Sequence, residues 1–117
     1  MLLTEVVAEL QLSCFTSLPA EPVQVTCGYA SDLLSDVMGN APTGALWVTM
    51  QCHPNVAAVA SLLSLAGVII VGKVSPDEVT LRRAQEAGVV LLHSEASTFE
   101  TVGRLYELGV RGLPRHD

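Results

Sequence analysis

The sequence is poor in aromatic residues, with one Trp, two Tyr and two Phe among 117 residues. Core volume must therefore come from Ala, Val and Leu, as it does in sheets covered by helices on both faces. Cations are scarce too, six Lys plus Arg against twelve Asp plus Glu, for a formal net charge of −6. That balance repels a phosphate backbone, and the cations are not interleaved with aromatics as a single-strand groove requires, so no nucleic-acid partner is expected. A long apolar run is also missing, because the richest stretch, Val56 to Val71, is interrupted by Ser61, Ser64 and Gly67. No membrane span follows from it. The N-terminus has no basic stretch, and Glu5 and Glu9 interrupt what could be a signal segment, so no targeting peptide is expected. Cys14, Cys27 and Cys52 are odd in number and far apart. They fit buried, reduced thiols of a cytoplasmic protein better than a disulfide framework, and they lack iron–sulfur ligand spacing.

Half of the residues are apolar, enough for one domain to bury a core without metal or disulfide staples. The chain predicts a short helix after Thr4, then a brief strand and a loop over Ser13 to Glu21, around Pro19 and Pro22. From Val23 the pattern is regular. Val23-Gln24-Val25-Thr26-Cys27 alternates as a strand, Gly28 ends it, and Ser31 or Asp32 caps a helix to about Asn40 with Leu34, Val37, Met38 and Ala41 inward. Ala45 to Met50 is a strand. Pro54 opens a helix with Val56, Val59, Ala60 and Leu63 inward, which Gly67 stops. Val68-Ile69-Ile70-Val71 reads as a strand buried on both faces, hence central in a parallel sheet. Ser75-Pro76-Asp77-Glu78 starts a further helix, Gly88 ends it, and Val89 to Leu92 forms another buried strand. The last helix opens near Ser97 or Thr98 with Phe99, Val102, Gly103 and Tyr106 on its inner stripe, and the tail from Gly109 looks loose. Strand and helix alternate four times, so the expected fold is a compact, single-domain α/β sandwich, Rossmann-like, with a mostly parallel sheet and helices on both faces.

In such sheets ligands bind where strand carboxyl ends lead into helix N-termini. Four loops qualify: 28–32, 51–55, 72–75 and 93–97. They supply Gly28, Asp32, His53, Asn55, Gly72 and Lys73 as candidate ligand-binding residues. Each also has a plainer reading: Asp32 as a helix cap, Pro54-Asn55 as a helix start with His53 packed beside it, Gly72 as a turn and Lys73 as a solvated cation. Neither the Gly-x-Gly-x-x-Gly nor the Walker pattern is present. Cys52 and His53 are adjacent rather than spaced to share one ion, although His93 could come near. No metal or cofactor is expected. With no Gly-x-Ser-x-Gly elbow and no carboxylate pair arguable from spacing, no catalytic residue is expected, and the chain reads as a non-enzyme.

The residues from about Gln24 to Leu108 resemble the DRTGG domain family, which occurs alone, in some phosphate acetyltransferases and between CBS domains of some inorganic pyrophosphatases. The likeness is carried by the run from Gly28 to Met38, His53-Pro54-Asn55 entering Val56 to Ala60, Ile69 to Lys73 with Pro76-Asp77, and Ser97 to Val102. Asp32 stands where the family has its Asp, Leu33 replaces the Arg, and Val71-Gly72-Lys73 replaces Thr-Gly-Gly. The resemblance implies a DRTGG-like domain over residues 1–117 with a core at about 23–108, similar in fold to the N-terminal domain of HPr kinase. It further implies a non-catalytic regulatory role, a homodimer, and a partner enzyme such as a kinase or a hydrogenase component. Alternatively, the strand-end loops serve as a sensor for a nucleotide or another phosphorylated metabolite.

Overall fold

A computed structural model describes residues 1–113. The most apolar segments form the middle of the sheet, as the hydrophobic effect requires. β3 (Ala45–Thr49) and β4 (Gly67–Val71) are buried at every position, which only strands covered on both faces achieve. They lie between β2 (Cys27–Ala30) on one side and β5 (Leu91–Ser94), followed by the two-residue β1 (Ser13–Cys14), on the other. The order is β1-β5-β4-β3-β2; β2 to β5 are parallel and β1 is antiparallel. Helices α1 (Leu3–Leu10), α2 (Leu34–Asn40), α3 (Asn55–Leu63), α4 (Glu78–Ala87) and α5 (Thr98–Leu108) make up the rest.

Alternation along the strands divides the core in two. Leu46, Val48, Ile69 and Val71 face α1 and α5, packing with Leu3, Val6 and Leu105. Trp47, Val68 and Ile70 face the other way, against Val37 of α2, Val56 of α3 and Ala84 of α4. The result is the expected Rossmann-like arrangement, a mostly parallel sheet with helices on both faces. The inward stripe expected of α3 is present too: Val56, Val59 and Ala60 are buried and Leu63 half-buried.

Several local expectations are corrected. The segment 23–27 alternates but is not the sheet strand. Val25 N donates to Met1 O and Leu3 N to Val23 O, so its ladder bonds go to the N-terminal segment, and the sheet strand begins at Cys27. Gly28 is therefore inside β2 rather than after it. The first helix starts at Leu3, its entry fixed by the Glu5 carboxylate accepting from Leu2 N at 2.9 Å. α2 starts at Leu34 with Leu33 at the cap position, so neither Ser31 nor Asp32 is its N-cap, and Met38 points out. α3 ends at Leu63 and is capped by Ser64 in the left-handed conformation, φ 54°, leaving Gly67 to open β4. Within the Ser75-Pro76-Asp77-Glu78 start, the α4 cap is Asp77, its carboxylate accepting from Thr80 N at 2.8 Å. β5 lies two residues later than expected, and His93 is in it.

The largest correction concerns α5. Phe99, Val102 and Tyr106 are 86, 38 and 57% exposed, while Thr101 and Leu105 are buried. Two polar contacts set this rotation. The Ser97 hydroxyl accepts from Glu100 N, and Thr101 Oγ1 meets Ser94 Oγ at 3.0 Å, which pulls Thr101 against the end of β5. The tail is also tied down as far as it is described: Val110 is buried, and Arg111 O accepts from Gly28 N at 2.8 Å. Residues 114–117, the rest of the tail read as loose, lie outside the described residues.

Candidate functional site

Because β2 to β5 run parallel, their carboxyl ends share one rim, and the loops after them carry Asp32, His53, Gly72 and Lys73, with Asn55 at the first position of α3. Gly28 is apart from this group, in the body of β2.

Each rim residue has local structural work. Asp32 ties the end of β2 to the loop after β3. One carboxylate oxygen accepts from Met50 N at 2.7 Å and Thr49 Oγ1 at 2.9 Å, and the Asp32 carbonyl accepts from Gln51 Nε2. His53 Nδ1 accepts from Asn55 N at 3.1 Å, so that atom carries no proton and one free amide at the start of α3 is already used. The Gly72 carbonyl accepts from His93 Nε2 at 2.7 Å; a carbonyl cannot donate, so the ring proton is on Nε2. Gly72 itself adopts φ +90°, a turn conformation that glycine tolerates best. Lys73 is exposed.

Cys52 is beside this rim, with its carbonyl accepting from Thr80 Oγ1 at 3.1 Å. Partial burial, followed by the nearby Asp77 charge, pushes its thiol pKa up, so it is the less reactive protonated thiol at neutral pH. Asp77 is held below the usual carboxylate range, chiefly by the Thr80 amide. Asp36 is likewise lowered, first by the Tyr29 hydroxyl at 2.8 Å, and the same bond raises Tyr29. No set of three His, Cys, Asp or Glu side chains gathers around one point among the described residues. No helix there is long and apolar enough to cross a membrane.

A partly enclosed concavity lies elsewhere. A cavity of about 220 Å³ opens between the edge strand β2 and α5, with Gly28, Ala30 and Val48 on its sheet side and Val102, Leu105 and Tyr106 on its helix side. Val110, Arg111 and Gly112 close its flank. Apart from Gly28, sequence reading missed it, because the tail has no periodicity and α5 was turned the wrong way. Asn55 lines a separate, open depression with Leu34, Met38 and Leu62.

The sheet order, with its switch from β1 to the parallel strands, defines a small mostly parallel α/β module whose rim is cross-linked by its own hydrogen bonds. No family model and no curated protein matches the sequence. Among solved structures, the chain is similar to the CBS and DRTGG domains of the regulatory region of a Clostridium perfringens pyrophosphatase, crystallised with its activator diadenosine tetraphosphate. The TM-score is 0.73 at 10% identity, over 88% of this chain and 45% of that one. This chain thus spans under half of the structure it matches, and at that identity the likeness is one of fold. It is a likeness to a DRTGG-containing region, as the residues from Gln24 to Leu108 led one to expect.

Proposed function

We propose that the chain is a non-catalytic regulatory module that dimerises and acts on a partner enzyme. The observation that carries this reading is the outward stripe of α5. Phe99, Val102 and Tyr106, at i, i+3 and i+7, leave an apolar ridge in water beside an edge strand. Burying such a ridge against a second copy recovers hydrophobic free energy at roughly 25 cal/mol per Å². The rim favours a non-catalytic role, since its carboxylates and imidazole are occupied in structural bonds and Cys52 is held as the neutral thiol. The fold likeness to an enzyme's regulatory region adds the partner. Sedimentation equilibrium is expected to show a dimer at micromolar concentration, and Phe99→Asp a folded monomer whose unfolding midpoint no longer depends on protein concentration. A wild-type monomer at high micromolar concentration would end the dimer reading.

A second reading draws on the shared rim. Asp32, His53, Asn55, Gly72 and Lys73 stand where parallel sheets hold ligands, with Lys73 free to meet an anionic group, so the module can sense a phosphorylated metabolite there. The pyrophosphatase region's activator is itself a nucleotide. In a thermal-shift series, nucleotides or phosphorylated metabolites should raise Tm in the wild type and less in Lys73→Ala and His53→Ala. Equal responses in all three would remove the rim from consideration.

A further inference from the structure

The outer edge of β2 and the cavity beside it belong together. Ser31 N donates to Val48 O, and Tyr29 pairs with Trp47. In a parallel ladder this parity turns the backbone groups of Cys27, Tyr29 and Ser31 toward β3 and those of Gly28 and Ala30 away from it. The Gly28 amide confirms the parity by donating outward to Arg111 O. The Gly28 carbonyl and the Ala30 N–H then point to the same open side, one acceptor and one donor two residues apart, with no partner among the described residues. Both residues line the cavity. Their side chains are a hydrogen and a methyl, so the sheet wall is flat, while Val102, Leu105 and Tyr106 form the apolar wall opposite.

We infer that this cavity binds a planar nitrogen heterocycle of the aminopurine type, read by the strand edge. An exocyclic N–H gives its proton to the Gly28 carbonyl, and the neighbouring ring nitrogen accepts from the Ala30 amide. The ring lies beside the β2 edge, roughly in line with it, with the side chains of α5 against one face. A volume of about 220 Å³ is below the roughly 300–1,000 Å³ of pockets for drug-sized ligands, so it takes a base and leaves an attached sugar in solvent. Tyr106 gives the mouth an aromatic wall, and Arg111, at 3.8 Å from the centre of its ring and bonded to its carbonyl, fixes that ring in place. The site shares no residue with the rim group, while Val102 and Tyr106 belong both to it and to the outward stripe of α5.

The test is calorimetric titration of the full chain with adenosine and with inosine. Inosine exchanges the donor and acceptor on the recognised edge, and a mismatched hydrogen bond costs about tenfold or more in affinity. Adenosine is expected to saturate one site, with inosine at least about tenfold weaker. Ala30→Pro removes the donor from an edge position where the sheet does not use it, and it should weaken adenosine by a similar factor. Val102→Trp fills the cavity and should abolish binding. Phe99→Asp and Lys73→Ala should bind adenosine as the wild type does, which separates this site from the dimer and rim readings. Equal binding of the two nucleosides, undiminished binding to Val102→Trp, or no adenosine binding at millimolar concentration would overturn the proposal. Should Ala30→Pro fail to fold, the nucleoside pair and Val102→Trp still decide it.

Discussion

Among individual residues, the hydroxyls and carboxylates that close loops matter most. Among the described residues the buried polar ones are four threonines, Thr16, Thr49, Thr80 and Thr101, and each is hydrogen-bonded, so none incurs the cost of an unpaired group in the core. Beside them, the bond from Tyr29 to Asp36 makes a testable pH profile. Asp36 and Asp77 titrate lower in the folded chain than unfolded, so they add stability above the unfolded value of about 3.9 and lose it as pH falls through the folded one. Tyr29 titrates higher, so its contribution is present below about 10 and is lost as pH rises past the folded value. Urea midpoints should fall at both ends, and Tyr29→Phe should flatten both limbs. The remaining acid slope would belong in part to Asp77, and the alkaline one in part to Cys52, whose raised thiol works in the same direction. Unchanged limbs in Tyr29→Phe would show that the bond does not form in solution.

Elements were legible wherever a single face had to be buried. β3, β4 and α3 followed directly from apolar runs and periodicity, because burial leaves few ways to place Leu46 to Val48 or Val68 to Val71, and α4 followed from its start at Ser75-Pro76-Asp77-Glu78 and its stop at Gly88. Where two placements satisfy the same pattern, sequence could not choose. The alternation in 23–27 is the same whether Val25 pairs with Met1 or with the sheet, and α5 has apolar residues on two stripes, with Thr101 and Ser94 deciding between them. β1 is the extreme case, with two paired residues and a neighbouring stretch that has no period. It is held by Thr16, whose hydroxyl donates to Val89 O at 2.8 Å and accepts from Leu91 N at 2.9 Å. Thr16→Val keeps the shape and strands both backbone groups, so it should cost about 2–3 kcal/mol in chemical denaturation. A loss under about 0.5 kcal/mol would mean that the segment detaches from β5 without consequence.

For the molecule as a whole, both terminal segments, as far as they are described, close part of the β2 side of the sheet. Met1 and Leu3 pair with Val23 and Val25 just before β2, and the segment after α5 meets β2 itself at Gly28. This closure explains why the rim was legible and the cavity was not. The rim follows from strand direction alone, and direction follows from helical crossovers. The cavity depends on where a tail without periodicity comes to rest, and that is set by Val110 finding the gap over Gly28, where a Cβ would sit 3.3 Å from its methyl. Val110 is 7% exposed and packs in the same core as Leu105. Val110→Ala should therefore cost about 1.5–3 kcal/mol through two lost methyls and the space left behind. Amide exchange should localise the effect, with the Gly28 amide losing protection as Arg111 O withdraws while the amides of β4 keep theirs. If the Gly28 amide exchanges no faster in Val110→Ala, the tail is anchored by contacts other than Val110.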